Sequence, residues 1–307
     1  MSNNQFDYLV WIKAFRAASN ARSGFQELRT DIWKDTVEIA NNGSYQLEGA
    51  EIKIDNDSIP NQTEFFKVPP KLQENAVKHE TKFSIVEADC LETANILLKA
   101  ELNPCVLNMA SDRNPGGGVR KGSGAQEENI FRRTNLFRSL FQFVDYAPEY
   151  RVQGAKDRYP LDSKTGGIYS GGITVFRASE NSGYALLKEP YRLSFVSVPA
   201  LRKPELKKKG TAYFIADSLV ETAKEKIRTI LRIAAAHAHE SLVLSAFGCG
   251  AFANPPGHVA LLFKEVFEEE EFKHRFRLVV FSIIDDHNSW KEQNPEGNFL
   301  PFLQVFG

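Results

Sequence analysis

Short apolar runs and helical stripes alternate from Lys82 to the carboxyl end, and no other feature of the chain narrows its fold so far. "KFSIVEA" reads as a strand, "LETANILLKAE" carries helical spacing, and "PCVLNMA" is a strand again. Strands follow at "GGITVFRA" and "RLSFVSVPA". A long helix is predicted over residues 216–239, with Leu219, Ala223, Ile227, Ile230 or Leu231, and Ala234 on one stripe. "SLVLSAF" is a strand, "PGHVALLFKEVFEEEEF" a helix opened by proline, and "RFRLVVFSII" a nearly unbroken apolar strand. Unbroken apolar runs mark strands buried on both faces. The expected class is therefore α/β, with a mixed, largely parallel central sheet between two layers of helices.

Residues 1–78 read differently. Helical patterns cover residues 6–18 and 25–40, "NNGSY" stops the second, "YQLEGAEIKI" suggests a pair of strands, and "VPPKL" a connector. We expect a mostly helical extension packed on a core spanning residues 79–307. Residues 150–172 are polar and contain glycine, which predicts a long surface loop. The 307 residues carry a formal net charge of −1, so no overall basic field points to nucleic acid. Cys90, Cys105 and Cys249 are few and widely spaced, which fits a reducing compartment, and no Cys/His spacing resembles a zinc site. The first residues lack the pattern of a secretory signal, and no apolar run approaches a bilayer span. The expectation is a cytoplasmic protein.

The strand "VLNMA" delivers the chain into "SDRNPGGGVRKGSGAQEEN". From Gly117 the second glycine of a phosphate-binding P-loop falls at Gly122, but Ser123 stands where lysine is required, so that motif is absent. What remains is a strand, a glycine-rich turn, and a helix opening on Gln126, Glu127 and Glu128. Glycines at the carboxyl end of a buried strand let a ligand approach the backbone. Acidic residues in a first turn also suit the helix dipole, so the glutamates have a purely structural reading as well. Neighbouring helical residues point about 100° apart and cannot flank one bond from opposite sides as a standard glycosidase pair does. If the pair is catalytic, one carboxyl acts on the scissile oxygen and the other positions a hydroxyl or a water.

A second loop, "SAFGCGAFANPPG", also leaves a strand for a helix. Gly248, Gly250 and Ala253 satisfy the loose dinucleotide pattern, but the intervening prolines and asparagine argue against a Rossmann unit. An anion loop of backbone N–H groups fits better. Phe252 either lies against a sugar or base or is a buried loop aromatic. Two such loops suggest a diphosphate held between them, with chemistry at an attached sugar.

Gly116, Gly117 and Gly118, seven intervening residues, then Gln126, Glu127 and Glu128 resemble the signature of the poly(ADP-ribose) glycohydrolases, a macrodomain-fold family. The surrounding "VLNMASDRNPGGG" and "GAQEE" look like the bacterial-type, or microbial, branch. "GCGAFANPP" is similar to its diphosphate loop, "VFSIIDD" to its closing strand, and "GGITVFR" and the helical extension fit it too. The resemblance covers most of the chain. It implies a macrodomain-like ADP-ribose-binding catalytic domain that cleaves the O-glycosidic ribose–ribose linkage of poly(ADP-ribose), releasing ADP-ribose, with no metal or cofactor. The implied partner is the ADP-ribose polymer or an ADP-ribosylated protein, with no nucleic acid and no membrane.

Residue by residue, the resemblance implies Glu128 as the acid that protonates the leaving oxygen, with Glu127 on ribose hydroxyls and Gln126 fixing the pair. Gly116, Gly117 and Gly118 approach the diphosphate and distal ribose. Gly248, Cys249, Gly250 and Ala251 wrap the diphosphate from the other side, and Phe252 packs on the distal ribose. Asn108 and Asn114 are polar candidates near the sugar, Asp89 a candidate reader of the adenine amino group, and Asn288 an adenosine-side candidate. Met109 replaces the usual phenylalanine, and Arg120 and Lys121 make the loop unusually basic.

An acid at neutral pH needs a raised pKa, which burial beside a second carboxylate provides. Two other functions remain open: removal of single ADP-ribose groups from Ser, Arg or Glu side chains, and non-catalytic ADP-ribose binding. "HAHE" (His237 to Glu240) reads as a cationic helix end rather than a metal site, and the four glutamates from Glu268 to Glu271 as a solvated helix end. Cys249 reads as a small residue fitting a tight loop rather than a reactive thiol.

Overall fold

The computed structural model describes residues 6–21, 24–72, 78–145 and 148–307. Helices α1 (Tyr8–Ala21) and α2 (Phe25–Asn42) come first, and Gly43 closes α2 where the turn was expected. The expected strand pair is β1 (Ser44–Leu47) and β2 (Ala50–Lys53). β3 (Thr63–Phe66), which the sequence did not announce, follows. The chain continues through β4 (Lys82–Val86), α3 (Cys90–Lys99), β5 (Pro104–Met109), α4 (Gln126–Arg133), α5 (Phe137–Leu140), β6 (Gly167–Arg177) and β7 (Leu186–Val198). An unanticipated hairpin of β8 (Leu206–Lys209) and β9 (Ala212–Ile215) precedes α6 (Asp217–Ala236). β10 (Ser241–Leu244), α7 (Pro256–Phe267), β11 (Leu278–Ser282) and a further unanticipated helix, α8 (Phe299–Phe306), complete it.

Seven strands form the central sheet in the order β3-β6-β7-β5-β10-β11-β4. β7, β5, β10, β11 and β4 run parallel, and β6 is antiparallel to both β7 and β3. Alternate side chains of one strand point to opposite faces. Cys105 and Leu107 of β5 accordingly join a core with α6 and α7, while Val106 joins the core of α2, α3 and α4. Leu242 and Leu244 against Val243, and Val279 and Phe281 against Val280, divide in the same way. Both faces are buried, which explains the unbroken apolar runs. β3 pairs with β6 at one edge, so the segment before residue 78 contributes to the sheet itself.

The helix predicted from Gln126 is interrupted. Thr134 takes an extended backbone (φ −139°) and bridges to Val175, and Asn135 Oδ1 accepts the Thr174 N–H at 2.8 Å. The predicted loop over residues 150–172 is shorter than expected because β6 starts at Gly167, and Tyr150 and Leu161 within it are buried.

The glutamate run is not simply solvated. Arg228 of α6 binds Glu269 through two bonds of 2.8 Å, and Arg232 binds Glu271 at 2.7 and 2.8 Å. The "HAHE" turn is not cationic either. Burial pulls His237 down to about 4 and lowers His239, whose ring bonds Tyr169 Oη and the Asn103 carbonyl. Among the described residues no helix is long and apolar enough to cross a membrane.

Candidate active site

β5 and β10 are parallel neighbours, so the segments that follow them leave from the same edge of the sheet. α4, after β5, packs on one face, and α7, after β10, on the other. The chain therefore diverges between these two strands, and in open α/β sheets such a switch point is where ligands bind. The two glycine-rich loops lie there, and the segment after β11 leaves from the same edge beside them.

The first loop is built around the two carboxyls of α4. Glu127 Oε1 accepts the Gly116 N–H at 3.0 Å and Glu127 Oε2 the Ser111 N–H at 2.8 Å. Asn108 Nδ2 donates to Glu127 Oε1 (3.4 Å) and to Ser197 Oγ (3.0 Å). Glu128 Oε1 accepts the Gly118 N–H at 2.8 Å. Gln126 ties α4 to β5, its amide donating to the Leu107 carbonyl at 2.7 Å and its oxygen accepting the Met109 N–H at 2.8 Å. Gly117 has φ +51°, and a Cβ there would lie 2.5 Å from Glu128 Oε1 and 3.2 Å from Glu127 Oε2. Only glycine permits both the backbone conformation and the close carboxyls.

Both glutamates are buried. Burial, joined by the charge of Glu128, pushes the Glu127 carboxyl up to about 8, against the opposing pull of its N–H donors. Glu128 Oε2 and Asn108 Oδ1 are buried acceptors with no hydrogen-bond partner among the described residues. Buried acceptors of this kind call for a donor: a sugar hydroxyl answers either, and a transferable proton answers the Glu128 oxygen.

The second loop is held by a residue the sequence reading passed over. Buried Asn254 donates to the carbonyls of Leu201 (2.7 Å), Gly248 (3.0 Å) and Phe252 (3.3 Å). Its place before two prolines was the available signal, since asparagine often satisfies turn backbone. Cys249 is buried with its thiol pushed up by burial, in keeping with a small residue in a tight loop. Ala251 is exposed, and a Cβ on Gly250 would stand 3.6 Å from Asn288 Cβ, so the segment after β11 does meet this loop. Phe252 is half-buried against the α6–α7 core, and the Arg202 guanidinium lies 4.4 Å from its ring centre. Of the two readings left open for Phe252, the buried loop aromatic is therefore partly real.

Two candidates stand apart from this arrangement. Asp89 caps α3 through Oδ1, which accepts the Leu91 and Glu92 N–H groups, and pairs with buried Arg133 through Oδ2 at 2.7 Å. Both of its oxygens are engaged within the protein, which argues against the adenine role. Asn114 has an exposed side chain and contributes its carbonyl, accepting the Gly117 N–H at 3.0 Å. Among the described residues no three His, Cys, Asp or Glu side chains are grouped to hold a metal ion.

A mixed sheet between helical layers, with buried carboxyls at its switch point, defines a macrodomain-like hydrolase. More narrowly, residues 34–178 match the family model for the microbial-type PARG (poly(ADP-ribose) glycohydrolase) catalytic domain. The match includes the first loop and both glutamates and ends before the second loop. The chain is 28% identical to the poly(ADP-ribose) glycohydrolase of Thermomonospora curvata over 91% of this chain and 99% of that one. The TM-score is 0.70 for that enzyme and 0.69 for its complex with the inhibitor ADP-HPD. The glycohydrolase of Deinococcus radiodurans in complex with ADP-ribose is 25% identical over 85% of this chain and 98% of that one, with a TM-score of 0.59. No curated protein matches the chain.

Proposed function

We propose that the protein is a poly(ADP-ribose) glycohydrolase that cleaves the ribose–ribose O-glycosidic bond and releases ADP-ribose. The observation that carries the reading is the buried, partnerless Glu128 Oε2 beside a glycine-rich loop at the switch point. In this reading Glu128 protonates the leaving oxygen as the bond to the anomeric carbon breaks. A water adds to the resulting oxocarbenium ion and returns its proton to the carboxylate. General acid help of this kind contributes roughly 10²–10⁴ in rate.

Glu127 has the raised pKa and is the rival acid, but both of its oxygens already accept backbone N–H bonds. Geometry therefore favours Glu128, with Glu127 orienting ribose hydroxyls together with Asn108. The glycines at 116–118 and the segment Gly248, Cys249, Gly250 and Ala251, with Phe252, hold the diphosphate and distal ribose, and Asn288 borders the adenosine side. Residues 1–78 form the extension and residues 79–307 the catalytic domain, with β3 as the extension's strand in the sheet.

The test is a hydrolysis panel of poly(ADP-ribose) and side-chain-linked ADP-ribose, comparing wild type with Glu128→Ala. We expect polymer cleavage by the wild type alone, and ADP-ribose binding by both in calorimetry. Turnover by Glu128→Ala would refute its role as the acid. Cleavage confined to side-chain linkages would refute the polymer assignment.

A further inference from the structure

The loop that carries Gly118 is gripped from behind by the N-terminal helices. Arg29 of α2 binds Glu180 with two bonds, 2.8 and 2.7 Å, and its side chain is 12% exposed. Glu180 Oε2 also accepts the Tyr184 hydroxyl at 2.8 Å, and that hydroxyl accepts Arg132 Nε at 2.8 Å. Arg132, fully buried, passes the connection on by donating from Nη1 to the Ser123 carbonyl at 2.7 Å. The Ser123 N–H donates to the Gly118 carbonyl at 3.2 Å, and the Gly118 N–H reaches Glu128 at 2.8 Å. An unbroken chain of polar contacts thus runs from α2 to the Glu128 carboxyl.

Contact from α2 closes the same loop sterically. Gly122 has φ +70°, and a Cβ there would collide with the Gln26 carbonyl, while one on Gly124 would collide with the Arg29 guanidinium. Trp11 of α1 packs edge-on against Tyr184, with ring centres 5.2 Å apart. Burial works to lower the Arg29 pKa. The bond to Glu180 and the electrostatic pull of Glu180, Tyr184 and Glu128 together outweigh it, so the guanidinium stays charged.

We propose that Arg29 is a positioning residue for the reaction, setting the glycine-rich loop and the Glu128 carboxyl from outside the active site. The inference rests on the reading of Glu128 as the acid. Its test uses the full chain with Arg29→Ala, Arg29→Lys and Glu180→Gln, and with Lys34→Ala as a control on the exposed side of α2.

Arg29→Ala is expected to lower kcat on poly(ADP-ribose) by about ten- to a hundredfold, as small misplacements of reacting groups do, with KM little changed. The limb of the pH–rate profile set by the acid should move to higher pH, because a cation that favours the carboxylate has gone. Arg29→Lys recovers part of kcat, and Lys34→Ala retains all of it. If Arg29→Ala fails to fold, Glu180→Gln carries the same expectation for kcat, while its pH limb should move to lower pH, because an anion has gone and the Arg29 cation stays. A merely structural role would lower the melting temperature and leave kcat and the pH limb in place, and that result overturns the proposal when Glu128→Ala is inactive. An active Glu128→Ala would instead overturn the reading beneath it.

Discussion

The loop from Arg113 to Ala125 and the loop from Ser245 to Pro255 leave the same sheet edge but are held by different kinds of side chain. Ionisable carboxyls accept N–H groups of the first, at Gly116 and Gly118, whereas the neutral amide of Asn254 donates to carbonyls of the second, at Gly248 and Phe252. The first loop therefore couples its shape to protonation, and the second keeps its shape across the pH range. One is arranged for proton chemistry, the other for holding a ligand in place.

The largest expected break in this contrast is Glu128→Gln, which keeps the acceptor for Gly118 and removes the acid. Turnover should fall by roughly 10²–10⁴, read in steady-state kinetics, while ADP-ribose binding persists.

The contrast sharpens next at Glu127. Its folded pKa, about 8, lies above the ordinary 4.5, so between these values the folded state binds the extra proton and stability declines as pH rises. One proton contributes at most about 1.4 kcal/mol per pH unit. Urea titrations at several pH values should show this decline in the wild type and a flatter dependence in Glu127→Gln. An unchanged slope would contradict the raised pKa.

Asn254→Ala addresses the second loop. Stranding buried carbonyls should cost about 1–3 kcal/mol in chemical denaturation and weaken ADP-ribose binding, with no change in the shape of the pH–rate profile. The smallest effect is expected for Arg202→Ala, which removes the cation over Phe252 and its ion pair with Asp112. Half-exposed contacts of this kind contribute up to about 1 kcal/mol, so affinity for ADP-ribose should change by less than tenfold.

The residues that were legible in sequence are those whose pattern is local. Leu242, Val243 and Leu244 read as a strand because they form one short apolar run, and the glycines at 116–118 read as a turn because nothing else justifies them. What escaped depends on contacts between distant segments. β3 is a short run that becomes a strand only by pairing with β6, 100 residues or more away in sequence. α4 carries helical spacing past Thr134, but the tertiary bridge to Val175 ends it. The pKa of Glu127 is likewise invisible in sequence, since its cause is burial under a loop that its own oxygens organise. The tie from Asp89 to Arg133 and the chain from Arg29 to Ser123 cross the molecule, so neither could be read from local spacing.

The grip of Arg228 and Arg232 on Glu269 and Glu271 joins the helix before β10 to the turn beyond the helix that follows it. Covalent chain and ion pairs together close residues 228–271 into a ring that contains the second loop. Such a ring should open as one cooperative unit in amide hydrogen exchange, with the loop amides sharing the protection of the helices. Because charged groups lose less on desolvation as temperature rises, the ring should hold comparatively better on heating, and concentrated salt should loosen it before it loosens the rest of the sheet.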